Sequence, residues 1–218
     1  MELLEFRPLL FAIIEYSFVV FIILKGKSQL KYLAALFIFF LASYQLGEFL
    51  LFATGAQWTI QFAFIATVLV HPVALKAIET ITGKHLGFKI SIVVALGLVV
   101  ALIINPNLVA YADQCYCFAK FVAMENSRAF VAAYSLYTTV SLLAGMFLTG
   151  YYLFKARSKE VRSVLKYWLI SYVLPFPGSI LLLLAFTGNT NDYLASVMCA
   201  LGIIAAFIIT YSVTKAQR

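Results

Sequence analysis

Two acidic residues, Glu15 and Glu48, sit inside long apolar runs. An ionisable group near the centre of a membrane helix costs about 2.5–3.5 kcal/mol on insertion scales, so each calls for a partner or a task. Tyr44 stands four residues before Glu48 and Gln45 three, which puts all three on one helix face. Gln61 in the next run, and Tyr134, Tyr137, Thr138 and Ser141 in a later one, add polar edges towards the same end. Together they could line a pocket, and two acids with aromatic neighbours suit a cationic or amphipathic small molecule. The alternative is that both acids are protonated, or bonded to neighbouring helices, and act as packing contacts.

Other polar groups and breakers have two readings as well. His71 precedes Pro72, which removes a backbone bond and bends its helix. The histidine could relay protons, or simply bond a nearby carbonyl. Lys76 and Glu79, three residues apart, read as a snorkelling lysine with a local ion pair. Leu174-Pro175-Phe176-Pro177-Gly178 interrupts an apolar run and must kink or unwind it, as a hinge or as a static bend. Cys115 and Cys117 share a loop; their spacing suits a soft metal, a strained pairing, lipid attachment or free thiols.

Several chemistries lack their residues. A retinal protein needs a lysine in the middle of the last span, and Lys215 lies past its end. A seven-helix zinc hydrolase needs several histidines facing one site, and only His71 and His85 are present. There is no nucleotide-binding motif. No catalytic residue, metal site or cofactor is expected.

The elements that position these groups follow from composition. Of 218 residues, 64% are hydrophobic and 11% charged, less than half the charged share of a soluble domain, and the mean hydropathy is +0.98. Continuous apolar runs of bilayer length recur at 8–25, 32–53, 58–80, 88–105, 128–154, 164–187 and 191–213. They do not alternate, which argues against a barrel. The expected fold is an all-α membrane protein, a bundle of seven transmembrane helices forming one domain over 1–218. The flank Met1 to Pro8 sets Glu2 and Glu5 against Arg7, so it lacks the basic region of a signal peptide, and the first run is read as a retained helix.

Orientation comes from lysine and arginine. All but three of the 16 basic residues, the exceptions being Arg7, Lys120 and Arg128, fall on one side of the predicted stack. That side is cytoplasmic by the positive-inside rule, which leaves the N-terminus outside and the C-terminus in the cytoplasm. The net charge of +7 therefore reflects topology in a cell membrane (plasma or inner) and not nucleic-acid binding. The densest group, Lys155, Arg157, Lys159, Arg162 and Lys166, faces a partner or anionic lipid. The fifth run, about 42 Å long from Arg128 to Lys155 at 1.5 Å per residue, exceeds the hydrocarbon core and should tilt or project.

Lys31-Tyr32 opens the second span and Thr54-Gly55 closes it; Lys166-Tyr167 opens the sixth and Thr187-Gly188 closes it. This suggests a 3+1+3 parallel repeat, as occurs in transporters, although apolar helices also resemble one another by composition.

Across nearly the whole chain the arrangement resembles the N-terminal seven-helix sensor region of prokaryotic membrane histidine kinases. The resemblance rests on Tyr44-Gln45-Leu46-Gly47-Glu48, Trp58 in the turn that follows, Pro72, Ile81-Thr82-Gly83, the basic stretch Lys155 to Arg162, and Leu174-Pro175 with Gly178. It implies a sensor or receptor-like module that detects an outer or intramembrane signal and passes it to a cytoplasmic partner. It carries over no ligand or catalytic residues. Only Thr214 to Arg218 follow the last span, so the expectation is a stand-alone module signalling through a separate protein, or a region from which a kinase has been cut. The rival expectation is a small transporter or channel with its site near Glu15 and Glu48. A third is an assembly partner that stabilises a larger complex.

Overall fold

Uninterrupted apolar sequence closed by glycine, asparagine or a charged turn folds into seven α-helices among the described residues. They are α1 (Arg7–Lys25), α2 (Lys31–Thr54), α3 (Gln57–Thr82), α4 (Phe88–Ile104), α5 (Arg128–Lys155), α6 (Lys159–Val173) and α7 (Leu194–Lys215). The computed structural model describes residues 6–26, 29–111, 121–122, 128–178 and 194–215. A 3-10 turn at Pro106–Leu108 and a two-residue antiparallel pairing, Ala110–Tyr111 with Phe121–Val122, lie between α4 and α5. Cys115 and Cys117 fall outside the described residues, as do the second half of the sixth expected span and the start of the seventh.

Helix ends follow local chemistry. Pro8 in the first turn of α1 supplies a helical φ where no N–H is needed. Gly55 and Gly83 stop α2 and α3 in the left-handed region, at φ 64° and 66°, and donate back to Leu51 and Glu79 carbonyls at 2.8 Å each. The α3–α4 turn is then tied by Glu79, whose Oε1 accepts from the Leu86 and Phe88 backbone at 2.8 and 3.1 Å. The main departure from expectation is α6. It starts at Lys159, not 164, because Ser158 caps it by accepting from Glu160 N at 3.2 Å. Arg162 and Lys166 are therefore helical, and α5 and α6 are joined by residues 156–158 alone.

Consecutive helices pack side by side, α3 also meets α5 and α6, and α7 returns against α1 and α2. α2 and α3 approach closely at Gly47, where a Cβ would lie 2.9 Å from Ala63 Cβ. Two apolar clusters fill the bundle. One, at the end where α2 begins, gathers Ile22, Ile38, Ile78, Trp168 and Ile209. The other, towards the opposite end, gathers Leu51, Ile60, Phe64, Val68, Leu102 and Phe130.

Many large apolar side chains lie on the surface. Phe154 is 85% exposed and Ile90, Phe147 and Leu24 nearly as much, while Glu15 is 0% exposed. Such a belt of exposed apolar side chains suits lipid and not water. Serine and threonine within the helices bond their own preceding turn, as Thr67 does to Ala63 O (2.9 Å), Thr149 to Gly145 O (2.6 Å) and Thr210 to Ala206 O (2.7 Å), so their hydroxyls need no water. Among the described residues four helices, α1, α2, α3 and α5, are long and apolar enough to cross a membrane, which points to a membrane protein.

Candidate functional site

Between the two apolar clusters lies a polar layer built where α1, α2 and α7 meet. Period-3.6 geometry brings Gln45 and Glu48 to one face of α2. Glu15 reaches across from α1, and its Oε1 accepts from Gln45 Nε2 at 3.0 Å. One turn along α2, Glu48 is held through both oxygens. Tyr44 donates to Oε1 at 2.5 Å, and the Cys199 thiol of α7 approaches Oε2 at 3.9 Å, a long contact for a weak donor. Cys199 is also within electrostatic reach of Glu15. Gly202, three residues on, turns its Cα towards the first pair: a Cβ there would sit 3.6 Å from Glu15 Oε1 and 4.0 Å from Gln45 Nε2. Beside this layer, Tyr16 and Ser43 share a hydrogen bond of 3.0 Å between α1 and α2. Glu15, Gln45 and Glu48 are all buried. Two acceptor atoms of the layer, Glu15 Oε2 and Gln45 Oε1, have no hydrogen-bond partner among the described residues.

The seven side chains expected to line one pocket sort into three places. Glu15, Tyr44, Gln45 and Glu48 form the layer just described. Tyr134 adjoins it, within electrostatic reach of Tyr44, with its ring 4.6 Å from that of Phe64 and its hydroxyl bonded to Thr67. Gln61 is elsewhere: its Nε2 donates to Pro106 O at 3.1 Å and ties α3 to the turn after α4. Tyr137 is drawn to α3 and α4. Pro72 has no N–H to give Val68 O one turn back, and the Tyr137 hydroxyl reaches that carbonyl at 3.4 Å. The same hydroxyl meets Ser91 Oγ at 3.0 Å and Ser91 O at 3.3 Å, and its ring stands edge-on to His71 at 5.8 Å. Pro72 thus lies inside a helix that stays α-helical from Gln57 to Thr82, with a neighbour filling the bond it lacks.

No protein-family model and no curated protein matches this chain. Its functional reading therefore comes from the side chains. Among the described residues, no three of His, Cys, Asp and Glu are grouped to hold a metal ion.

At the Pro-Pro-Gly break, α6 passes into a π-helical turn, Leu174–Gly178, where i→i+5 spacing accommodates the missing proline donors at Pro175 and Pro177. Just before it, Ser171 Oγ donates to Tyr167 O at 2.9 Å and lies 3.3 Å from Ala205 O of α7. The break therefore sits on a helix fastened to the one that carries Cys199 and Gly202. At the far end of α5 and α6, Lys155, Arg157, Lys159, Arg162 and Lys166 are all exposed. Lys159, Arg162 and Lys166 share a face of α6, Arg162 Nη2 donates to Ala156 O at 3.1 Å, and Lys155 Nζ bonds Tyr151 Oη.

The sequence reading passed over Cys199 and Gly202. Their three-residue spacing was visible, but nothing in an apolar run says which of its faces meets another helix. The partnership of Tyr137 with Val68 had a usable signal, since Pro72 names the carbonyl it orphans.

Proposed function

We propose that this chain is a multi-pass sensor of the cell membrane, akin to the seven-helix input region of membrane histidine kinases. In this reading all seven helices cross the bilayer, with the N-terminus outside and the C-terminus in the cytoplasm. A small ligand is detected at the Glu15–Gln45–Glu48–Cys199 layer and its arrival is relayed to a cytoplasmic partner or to anionic lipid. The observation that carries the reading is the burial of two carboxyl groups between the first, second and last helices with acceptor atoms left over. Packing alone would call for saturated polar groups. The motif behind the resemblance supports it, since Tyr44 and Glu48 bond each other within the layer.

The relay runs from α7 through the Ser171–Ala205 contact to α6, and from α6 to its basic face. A ligand shifts such an equilibrium only by binding one arrangement better than the other. The test is an added thiol at Lys159→Cys, in protein in which Cys115 and Cys117 are replaced by serine and the buried Cys199 is kept. Its rate of labelling from the cytoplasmic side should change when a ligand occupies the layer. An unchanged rate with every ligand that binds would overturn signalling, and labelling of position 159 by an impermeant reagent added outside would overturn the orientation.

The π-helical break in α6 favours a second reading, a small transporter whose inner and outer halves rock about the layer, built on a 3+1+3 repeat. Flux into proteoliposomes that is abolished by Glu48→Gln would favour transport over sensing.

A further inference from the structure

We infer that the polar layer between α1, α2 and α7 takes a primary ammonium group as its ligand. The inference rests on the layer being a ligand site, and adds the chemistry of what it holds. Three oxygens there are short of donors. Glu15 Oε2 and Gln45 Oε1 have no partner among the described residues, and Glu48 Oε2 has the distant Cys199 thiol as its donor. Gln45 Oε1 only accepts, and so does Oε2 of whichever acid is ionised, so the ligand must donate. A primary ammonium carries three N–H donors.

Spacing and charge agree with this choice. Gln45 and Glu48 are three residues apart, about 4.5 Å of helical rise. A ligand lodged against that face of α2 can meet both side chains. Gly202 faces Glu15 and Gln45 with no side chain of its own; a Cβ there would already touch them, at 3.6 and 4.0 Å, so a larger residue would compete with a ligand for that position. One ionised carboxyl against one ammonium leaves a site with no net charge, the condition under which a buried charge is tolerated in lipid. A quaternary ammonium fits poorly. It has no N–H, and it is recognised by a cage of aromatic faces, whereas the layer's own members bring one ring, that of Tyr44. The amine can arrive as a free alkylammonium or as the headgroup of an aminophospholipid.

The experiment uses the full chain in phosphatidylcholine nanodiscs, with a hydrophobic carbodiimide modifying intramembrane carboxyls and peptide masses reporting Glu15 and Glu48. Ethylammonium should saturably keep both residues unmodified, found neither as the acylurea nor as the ethylamide that the amine itself would form with an activated carboxyl, and tetramethylammonium at equal ionic strength should not. Protection appearing only when phosphatidylethanolamine replaces phosphatidylcholine assigns the amine to lipid. Equal protection by tetramethylammonium, or none by either amine source, overturns the inference. A second readout is the thermal unfolding midpoint followed by tryptophan emission. Ethylammonium should raise it, and Gln45→Leu, which keeps both acids, should need about tenfold more amine, the loss expected for one charge-assisted hydrogen bond. An unchanged requirement in Gln45→Leu also overturns it. Amine protection without any change in thiol labelling at position 159 would leave the site and remove the relay. Labelling changes at 159 driven by other ligands, with no amine protection, would do the reverse.

Discussion

Replacing Tyr137 by phenylalanine removes one hydroxyl and, with it, the donor for the Val68 carbonyl that Pro72 leaves open. Both Val68 and Tyr137 are buried, so no water takes over. Stranding a buried acceptor costs about 1–3 kcal/mol in soluble proteins, but hydrogen bonds between membrane helices average about 0.6 and reach about 1.7 kcal/mol. The contacts to the two carbonyls are long, at 3.3 and 3.4 Å, and that to Ser91 Oγ is 3.0 Å. The expected loss is therefore about 1–1.5 kcal/mol, within the membrane range. The sharper statement concerns coupling. Pro72→Ala restores a backbone N–H that can bond Val68 O within the helix, so Tyr137→Phe should cost about 0.5–1 kcal/mol less in that background than in the wild type. Ser91 is present in both backgrounds and cancels from the cycle. Unfolding free energies of the four proteins in bicelles, measured by steric trapping, give the coupling. Additivity within about 0.3 kcal/mol would refute the claim that the tyrosine serves the proline's missing bond.

Three further outcomes follow from the packing. Glu79→Ala should release the α3–α4 turn, with amide exchange at Leu86 and Phe88 faster by roughly tenfold or more, because each bond to the carboxylate is worth about 1.5–3 kcal/mol; Lys76→Ala should change it little, its ion pair at 3.4 Å being half in solvent. Gly47→Ala should destabilise the bundle by about 1–3 kcal/mol, since the new methyl would press to 2.9 Å on Ala63, and Ala63→Gly should recover much of that loss. Ser158→Ala should fray the first turn of α6 at a loss of about 1 kcal/mol, seen as faster exchange at Glu160 and the next residues.

Among the described residues the helices and most of their ends were readable because hydropathy and Gly, Pro and Asn punctuation are properties of single residues. Gly55 and Gly83 stop their helices where the sequence places them. The start of α6 was misread because hydropathy marks where a helix enters lipid, whereas Ser158 marks where it begins. For the polar layer, Tyr44, Gln45 and Glu48 were grouped correctly by i, i+3 and i, i+4 spacing, a property of one helix. Adding Glu15 depended on depth alone, and depth does not distinguish Glu15 from Gln61. The first joins the layer and the second bonds Pro106, a difference set by rotation of each helix about its axis. That rotation is encoded in contacts such as Gly47 with Ala63, which are weakly visible one residue at a time.

The carbonyl exposed by Pro72 bears on biogenesis as well as on stability. Tyr137 is made 69 residues after Val68, an interval of roughly 3–14 s at ordinary rates of synthesis. For that time the third helix carries an acceptor whose final donor has not yet been made, so this contact between the third and fifth helices belongs to a late stage of folding.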